Sequence, residues 1–147
     1  MLARTRGTVA LAVLAGCAAA LAVSGCHVDT GDLQHRTRTY QVSSPVHTLV
    51  INDRVGDVQV TGGSGRVSVT ERIRYRNQLP ATAHAVRAGT LTLTGTCSAT
   101  HVCDVEYHVR VPPATTVKIS DQVGNIRFAA LTGQVSAHTS AGGITLR

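Results

Sequence analysis

Apolar and polar residues alternate along this chain in short bursts, and glycines set the intervals. The unit Gly-x-apolar-x-apolar first appears as Gly56-Asp57-Val58-Gln59-Val60, then as Gly65-Arg66-Val67-Ser68-Val69 and Gly89-Thr90-Leu91-Thr92-Leu93. It returns as Gly124-Asn125-Ile126-Arg127-Phe128, Gly133-Gln134-Val135-Ser136-Ala137 and Gly142-Gly143-Ile144-Thr145-Leu146. Side chains two apart lie on one face of a strand, whereas a helix needs spacings of three and four. Each unit therefore reads as a short strand, and the glycine permits the corner before it. Gly56 to Gly65, Gly124 to Gly133 and Gly133 to Gly142 are each nine residues. The pattern predicts an all-β domain of repetitive short strands, solenoid-like or a sandwich, in which each unit relies on its neighbours for a core. An ordinary antiparallel sandwich with evenly spaced hairpins would show the same beat.

One stretch can be registered. If Cys97 faces Cys103 across a hairpin, Gly95 opposes Val105, Leu93 opposes Tyr107 and Leu91 opposes Val109. The even positions then set Thr94 against Glu106, Thr92 against His108 and Thr90 against Arg110, a polar outer face. A one-residue slip would destroy that sorting. A Cys97–Cys103 disulfide follows in an exported chain. A thiolate metal site is the rival, but structural zinc wants four ligands.

Export is suggested by the N-terminus. Arg4 and Arg6 precede a weakly apolar, alanine-rich run from Thr8 to Val23, the layout of a secretory leader. The run is short for a membrane span. Leu21-Ala22-Val23-Ser24-Gly25-Cys26 resembles a bacterial lipobox, whose cysteine is acylated and becomes the new N-terminus. Leu14-Ala15-Gly16-Cys17 competes, but cleavage there would leave apolar Ala18–Val23 on the mature chain. The expected organisation is a lipoprotein signal peptide over 1–25, a lipid-anchored polar tether over 26–38 and a β-repeat domain over 39–147. Acyl chains on Cys26, at ~0.8 kcal/mol per buried CH₂, would hold the protein on the extracytoplasmic face of the cell membrane.

Composition narrows the partners. The chain of 147 residues carries a formal charge of +6 with no Trp and one Phe. Basic runs interleaved with aromatics are missing, so nucleic acid is not expected. Arg72, Arg74 and Arg76 share one face of Thr70–Arg76, a candidate stripe for an anionic wall polymer or lipid phosphate; pairing with Asp104 or Glu106 on a neighbouring strand is the alternative. The seven histidines are scattered, with no i, i+2 or i, i+4 pair to aim at one metal ion. Gly62-Gly63-Ser64-Gly65 joins strand to strand and reads as a turn, not a phosphate loop. Asp53 and Asp57 flank a turn, where they could meet a cation but more simply support the turn. No Gly-x-Ser-x-Gly elbow occurs. No enzyme activity, cofactor or metal is expected.

Taken in order, several segments make the chain resemble the DUF4097 family of β-strand-repeat proteins, labelled adhesins and also described as toast-rack domains. The segments are Leu49-Val50-Ile51, Val55 to Val60, Gly89 to Leu93, Cys97 and Cys103, Val105 to Pro112, and Val123-Gly124-Asn125-Ile126-Arg127 running on to Leu146. The resemblance implies a repetitive extracytoplasmic β domain without a known catalytic site, acting as a binding or adhesion module of the cell envelope. Links of some relatives to envelope stress imply a second role, as sensor or scaffold for a membrane protein. Ile144-Thr145-Leu146 lies at the C-terminal end of the sequence, and an uncovered strand edge there would invite self-association.

Overall fold

The computed structural model describes residues 31–97 and 102–147. The expected signal peptide over 1–25, Cys17, Cys26 and the first part of the expected tether lie outside the described residues. Eleven strands form two sheets, with no helix among the described residues. They are β1 (Gln34–Val42), β2 (Thr48–Asn52), β3 (Val58–Gly62), β4 (Val67–Tyr75), β5 (Ala81–Arg87) and β6 (Thr90–Thr96). β7 (Cys103–Val111), β8 (Thr116–Val123), β9 (Ile126–Ala129), β10 (Val135–Ala141) and β11 (Ile144–Leu146) follow. One sheet runs β1-β4-β7-β3-β9-β11 and the other β10-β8-β2-β6-β5.

Half of this sandwich is a coil. From β8 to β11 the chain changes sheet at every strand, and all neighbours are parallel: Val117 lies beside Val135, and Ile126 beside Ile144. One turn therefore takes 18 residues, two of the nine-residue units. β2 and β3 form an earlier turn of the same kind, with Leu49 beside Val117 and Val58 beside Ile126. Residues 63–115 are inserted between these turns and widen both sheets with antiparallel pairs, β4 with β7 and β5 with β6. Solenoid and antiparallel sandwich are thus both present, side by side.

All six glycine-headed units fall in strands. Val58, Val60, Val67, Val69, Leu91, Leu93, Ile126 and Phe128 are buried, and Val135 and Ala137 pack partly against the core. Ile144 shares the inward face of Ile126 yet is 50% exposed, because among the described residues β11 is an edge strand paired with β9 alone.

Two expectations need correction. β6 and β7 do not form a hairpin: they lie in opposite sheets and face each other across the core. The odd positions Leu91, Leu93, Gly95, Val105, Tyr107 and Val109 still point inward, because the alternation demands a buried face without saying which sheet supplies its cover. Cys97 and Cys103 are joined by a disulfide with Cα atoms 5.8 Å apart, so the bond ties the two sheets together. The second correction concerns the tether. Strand β1 starts at Gln34, five residues ahead of the expected domain boundary at 39.

On the face it shares with Ile73 and Glu71 it carries Arg36, which is exposed, and Arg38, which is half-buried, in place of aliphatic residues, which is why the strand reads as polar. Arg38 opposes Glu71, which is 2% exposed. The Glu71 carboxylate accepts hydrogen bonds from Tyr40 (2.9 Å, β1) and Thr82 (3.0 Å, β5), and Arg38 donates to Thr82 at 2.9 Å. Tyr40 also stacks on His84 at 4.3 Å. These groups close one side of the sandwich with polar contacts where the others are aliphatic. Glu71→Ala would leave two hydroxyls without their acceptor and Arg38 without the carboxylate 4.0 Å away. A loss of ~3 kcal/mol is expected in denaturant titration, with Glu71→Gln intermediate because it keeps an acceptor for Tyr40.

Candidate functional site

The sharpest feature of the coil is its corner. Gly56, Gly124 and Gly142 stack on one another, and a Cβ on Gly124 would collide with the Gly56 carbonyl, one on Gly142 with the Gly124 carbonyl. Backbone hydrogen bonds join successive corners, from Gly56 N–H to Val123 O at 3.0 Å and from Gly124 N–H to Ala141 O at 2.9 Å. Side chains continue the ladder. Asp57 accepts from the Asn125 N–H at 2.9 Å, and Asn125 accepts from the Gly143 N–H at 3.1 Å. Arg127 donates to the other Asp57 oxygen at 3.0 Å. Partial burial opposes ionisation of Asp57, but the Asn125 N–H and the Arg127 guanidinium prevail and hold its carboxyl below the usual range. Asp57 is therefore a corner support facing outward.

Beside the corners lies a groove of about 580 Å³. The glycine corners line one side with bare backbone, and the ends of β1, β4 and β7 line the other. This is where the arginine stripe falls. Arg72 and Arg74 point outward from β4 as expected, while Ile73 is buried on the opposite face. They are not free for an anion. Arg74 forms a two-pronged pair with Asp104, with Nε 3.0 Å from each carboxylate oxygen, and Arg72 lies 3.9 Å from Glu106. Arg76 falls just beyond β4, half-buried, and its N–H donates to Val102 O at 2.9 Å. The three-residue anion stripe is thereby corrected to two arginines in a groove of balanced charge. Across the pleated sheet, positions 72 and 74 sit directly opposite 106 and 104, so opposite charges meet. Arg36, Arg72 and Arg74 are matched by Asp57, Asp104 and Glu106.

Behind the groove is a polar cluster that the sequence reading divided differently. Asp53 follows Asn52 on β2 and is only 5% exposed; Asp121 on β8 is 1% exposed. The pairing of Asn52 with Ser120 sets the two carboxyls side by side on neighbouring strands, both facing inward. Tyr107 reaches across from the other sheet. Its hydroxyl lies 3.2 Å from the point a Cβ on Gly95 would occupy, and Asp53 Oδ1 crowds the same point. Asp53 Oδ1 accepts from the Arg54 N–H at 2.8 Å. The Asp121 carboxyl draws on the N–H groups of Gln122 and Val123 and on the Thr139 hydroxyl, whereas no hydrogen bond of ordinary geometry reaches Asp53 Oδ2 or the Tyr107 hydroxyl.

Burial pushes the Asp53 carboxyl up from 3.8 to about 8; the Arg54 N–H opposes this and the neighbouring Asp121 adds to it. Burial raises Asp121 as well, against the opposing pull of the Gln122 and Val123 N–H groups and the Thr139 hydroxyl. Burial first, then the charge of Asp53, keeps the Tyr107 phenol neutral. A signal for the pair was present in the sequence, as Asp53-Arg54-Val55-Gly56-Asp57 and Asp121-Gln122-Val123-Gly124-Asn125 are one motif repeated. Glu71 carried no such signal. Among the described residues, no group of three or more His, Cys, Asp or Glu side chains is placed to hold a metal ion.

No family model matches the chain, and no curated relative matches it by sequence. Solved structures do match in shape. A "putative cell adhesion protein" from Clostridium sporogenes superimposes with a TM-score of 0.50 at 12% identity, over 74% of this chain and 59% of that one. The chain shares its β fold. A "putative adhesin" from Parabacteroides merdae gives 0.48 at 15% identity over 74% and 45%, and one from Bacteroides fragilis gives 0.47 at 12% over 78% and 56%. The chain thus spans about half the length of the solved structures it matches.

Proposed function

We propose that this protein is a lipid-anchored binding module of the bacterial cell envelope, of the DUF4097 kind, and not an enzyme. The observation that carries the reading is the groove, where exposed corner backbone faces a wall of evenly matched charges. A groove with as many carboxylates as guanidiniums rejects a uniformly anionic polymer and suits one bearing hydroxyls and amides, which both donate and accept hydrogen bonds. A glycan strand of the envelope has that chemistry. The adhesin-like fold supports a binding role.

Co-sedimentation with purified cell-wall glycan tests the proposal. Asp104→Ala, which strips Arg74 of its partner, should weaken binding at least ~10-fold, as the loss of one well-ordered polar contact does. Binding unchanged in Asp104→Ala and Arg72→Ala would remove the groove from the function. Anchoring has its own measurement. Cys26→Ala should move the protein from the membrane to the soluble fraction; retention of Cys26→Ala together with release of Cys17→Ala would shift the anchor upstream.

The strand edge favours a second reading. β11 exposes Ile144 (50%) and Leu146 (66%), and β10 is the edge of the other sheet. Edges of this kind recruit a strand from another protein or from a second copy. A membrane-protein partner would make the chain a sensor or scaffold, and crosslinking in intact cells would capture that protein instead of wall polymer.

A further inference from the structure

The outer face of the sheet β1-β4-β7-β3-β9-β11 changes chemistry halfway along its strands. Towards the glycine corners lies the groove, where Arg72 and Arg74 meet Glu106 and Asp104. Farther down the strands the carboxylates stop. Thr70, His108, Gln59, Arg127 and Thr145 form one row across five strands, and Ser68, Arg110, Thr61 and Ala129 form the next. Arg147 extends that second row past the end of β11, where its N–H donates to Phe128 O at 3.0 Å.

Two shallow hollows of about 240 and 230 Å³ lie in these rows and share Gln59 as their common wall. Ser68, Thr70 and Arg110 line the first, and Arg127, Thr145 and Arg147 line the second. Thr61 and Ala129 are short, which leaves space between the long arginines of their row. No carboxylate lines either hollow. Glu106 and Asp57, on the groove side, are already engaged by His108 at 2.7 Å and by Arg127 at 3.0 Å. Arg127 keeps the rest of its fork of donors. Arg110 is exposed and has no acidic partner among the described residues.

Guanidiniums offer only donors, and their planar fork matches phosphate oxygens, which only accept. Spacing indicates how many phosphates are met. Strands lie ~4.8 Å apart, so Arg110 on β7 and Arg127 on β9 are separated by about 10 Å, and Arg147 lies one strand farther on. A single phosphate cannot bridge that distance, whereas a chain of them can. Nucleic acid would want aromatic rings for its bases, and the one ring bordering the hollows, Phe128, is only 2% exposed. Lipid headgroups are the poorer match in position: Gln41, level with Ser68, is seven residues along β1 from Gln34, so the hollows lie about 23 Å from where the chain enters the domain.

We propose that this half of the face is a phosphate-binding strip, in which Arg110, Arg127 and Arg147 hold successive phosphates of a phosphodiester-linked envelope polymer. It is a second site on the face that carries the groove, and it does not depend on what the groove binds.

Isothermal titration of the full chain in neutral detergent with a glycerol phosphate oligomer tests the strip. Taking ~0.7 per neutralised phosphate, as for a flexible single strand, three contacts predict affinity about 15-fold weaker at ~200 mM than at ~50 mM salt. Arg110→Ala and Arg147→Ala should each weaken binding at least ~10-fold and make that salt dependence shallower. Thr61→Glu, which sets a carboxylate between the hollows, should weaken it further. Lys118→Ala removes the same charge from the outer face of the other sheet and should stay within ~2-fold of wild type. All four positions are at least partly exposed, and circular dichroism verifies each fold. No binding by the wild-type chain at ~50 mM salt would overturn the proposal. Equal losses in Lys118→Ala and Arg110→Ala would overturn it by reducing the effect to net charge. Glycerol phosphate monomer bound as tightly as the oligomer would remove the polymer, and equal competition by single-stranded DNA or by micelles doped with phosphatidylglycerol would reassign the occupant. The glycan assay uses a different ligand and different variants, so the groove and the strip can fail separately.

Discussion

Asp53→Asn should flatten the pH dependence of stability and make the chain more stable than wild type at pH 8 in metal-free buffer. The sign follows from where the proton is held. Asp53 has its ordinary value of 3.8 when unfolded and about 8 when folded. Below pH 4 both states are protonated, and the group leaves stability unaffected. As pH rises from 4 towards 8 the unfolded chain releases its proton while the folded chain keeps it. Folding therefore becomes steadily less favourable, and the loss is complete once pH passes the folded value. At the limit the loss is roughly 6 kcal/mol, a large share of the 5–15 kcal/mol that keeps a typical domain folded. Urea titrations at pH 4, 6 and 8 measure it. A wild-type chain as stable at pH 8 as at pH 4, with EDTA present, would show that Asp53 is not held neutral by its surroundings.

Gly124→Ala should cost more than ~3 kcal/mol and abolish cooperative folding at 37 °C, although the change adds a single methyl group. The obstacle is the Gly56 carbonyl, a backbone atom already fixed by the ladder of corner hydrogen bonds. A flexible side chain could swing aside; a laddered peptide cannot, so the coil must open. Gly65→Ala is the contrast. That glycine adopts a φ of +103° but has nothing within 4 Å of its Cβ position, so only local strain of ~1–2 kcal/mol is expected. Thermal unfolding of the two variants separates crowding from strain. Equal losses would mean that the stacked corners contribute nothing specific.

The contrast also explains what could be read in advance. Alternation located the strands and their inward faces, because Val58, Leu91 and Ile126 had to be covered by something. It could not say by what. Leu93 and Tyr107 are both inward residues, and neighbours within a sheet and opposites across a core give the same odd-even pattern. The coil was visible as a nine-residue interval, yet residues 63–115 interrupt it, so the match of Leu49 to Val117 has no local trace. Arg72 and Arg74 were placed on the right face, while their partners depended on β7 arriving alongside β4. Glu71 and Arg38 looked like solvent residues on amphipathic strands. Glu71 is buried and Arg38 half-covered because two edge strands, β1 and β5, meet over them, and the meeting of edges is a property of the whole fold.

Strand β1 has one more consequence. It begins at Gln34, and His35 and Arg36 belong to the groove, so the polypeptide enters the domain at the mouth of that groove. With an acyl group on Cys26, seven residues of leash intervene. Even fully extended they reach only about 30 Å. The mouth would then work close against the bilayer, and whatever it grips must come down to the lipid headgroups to be caught.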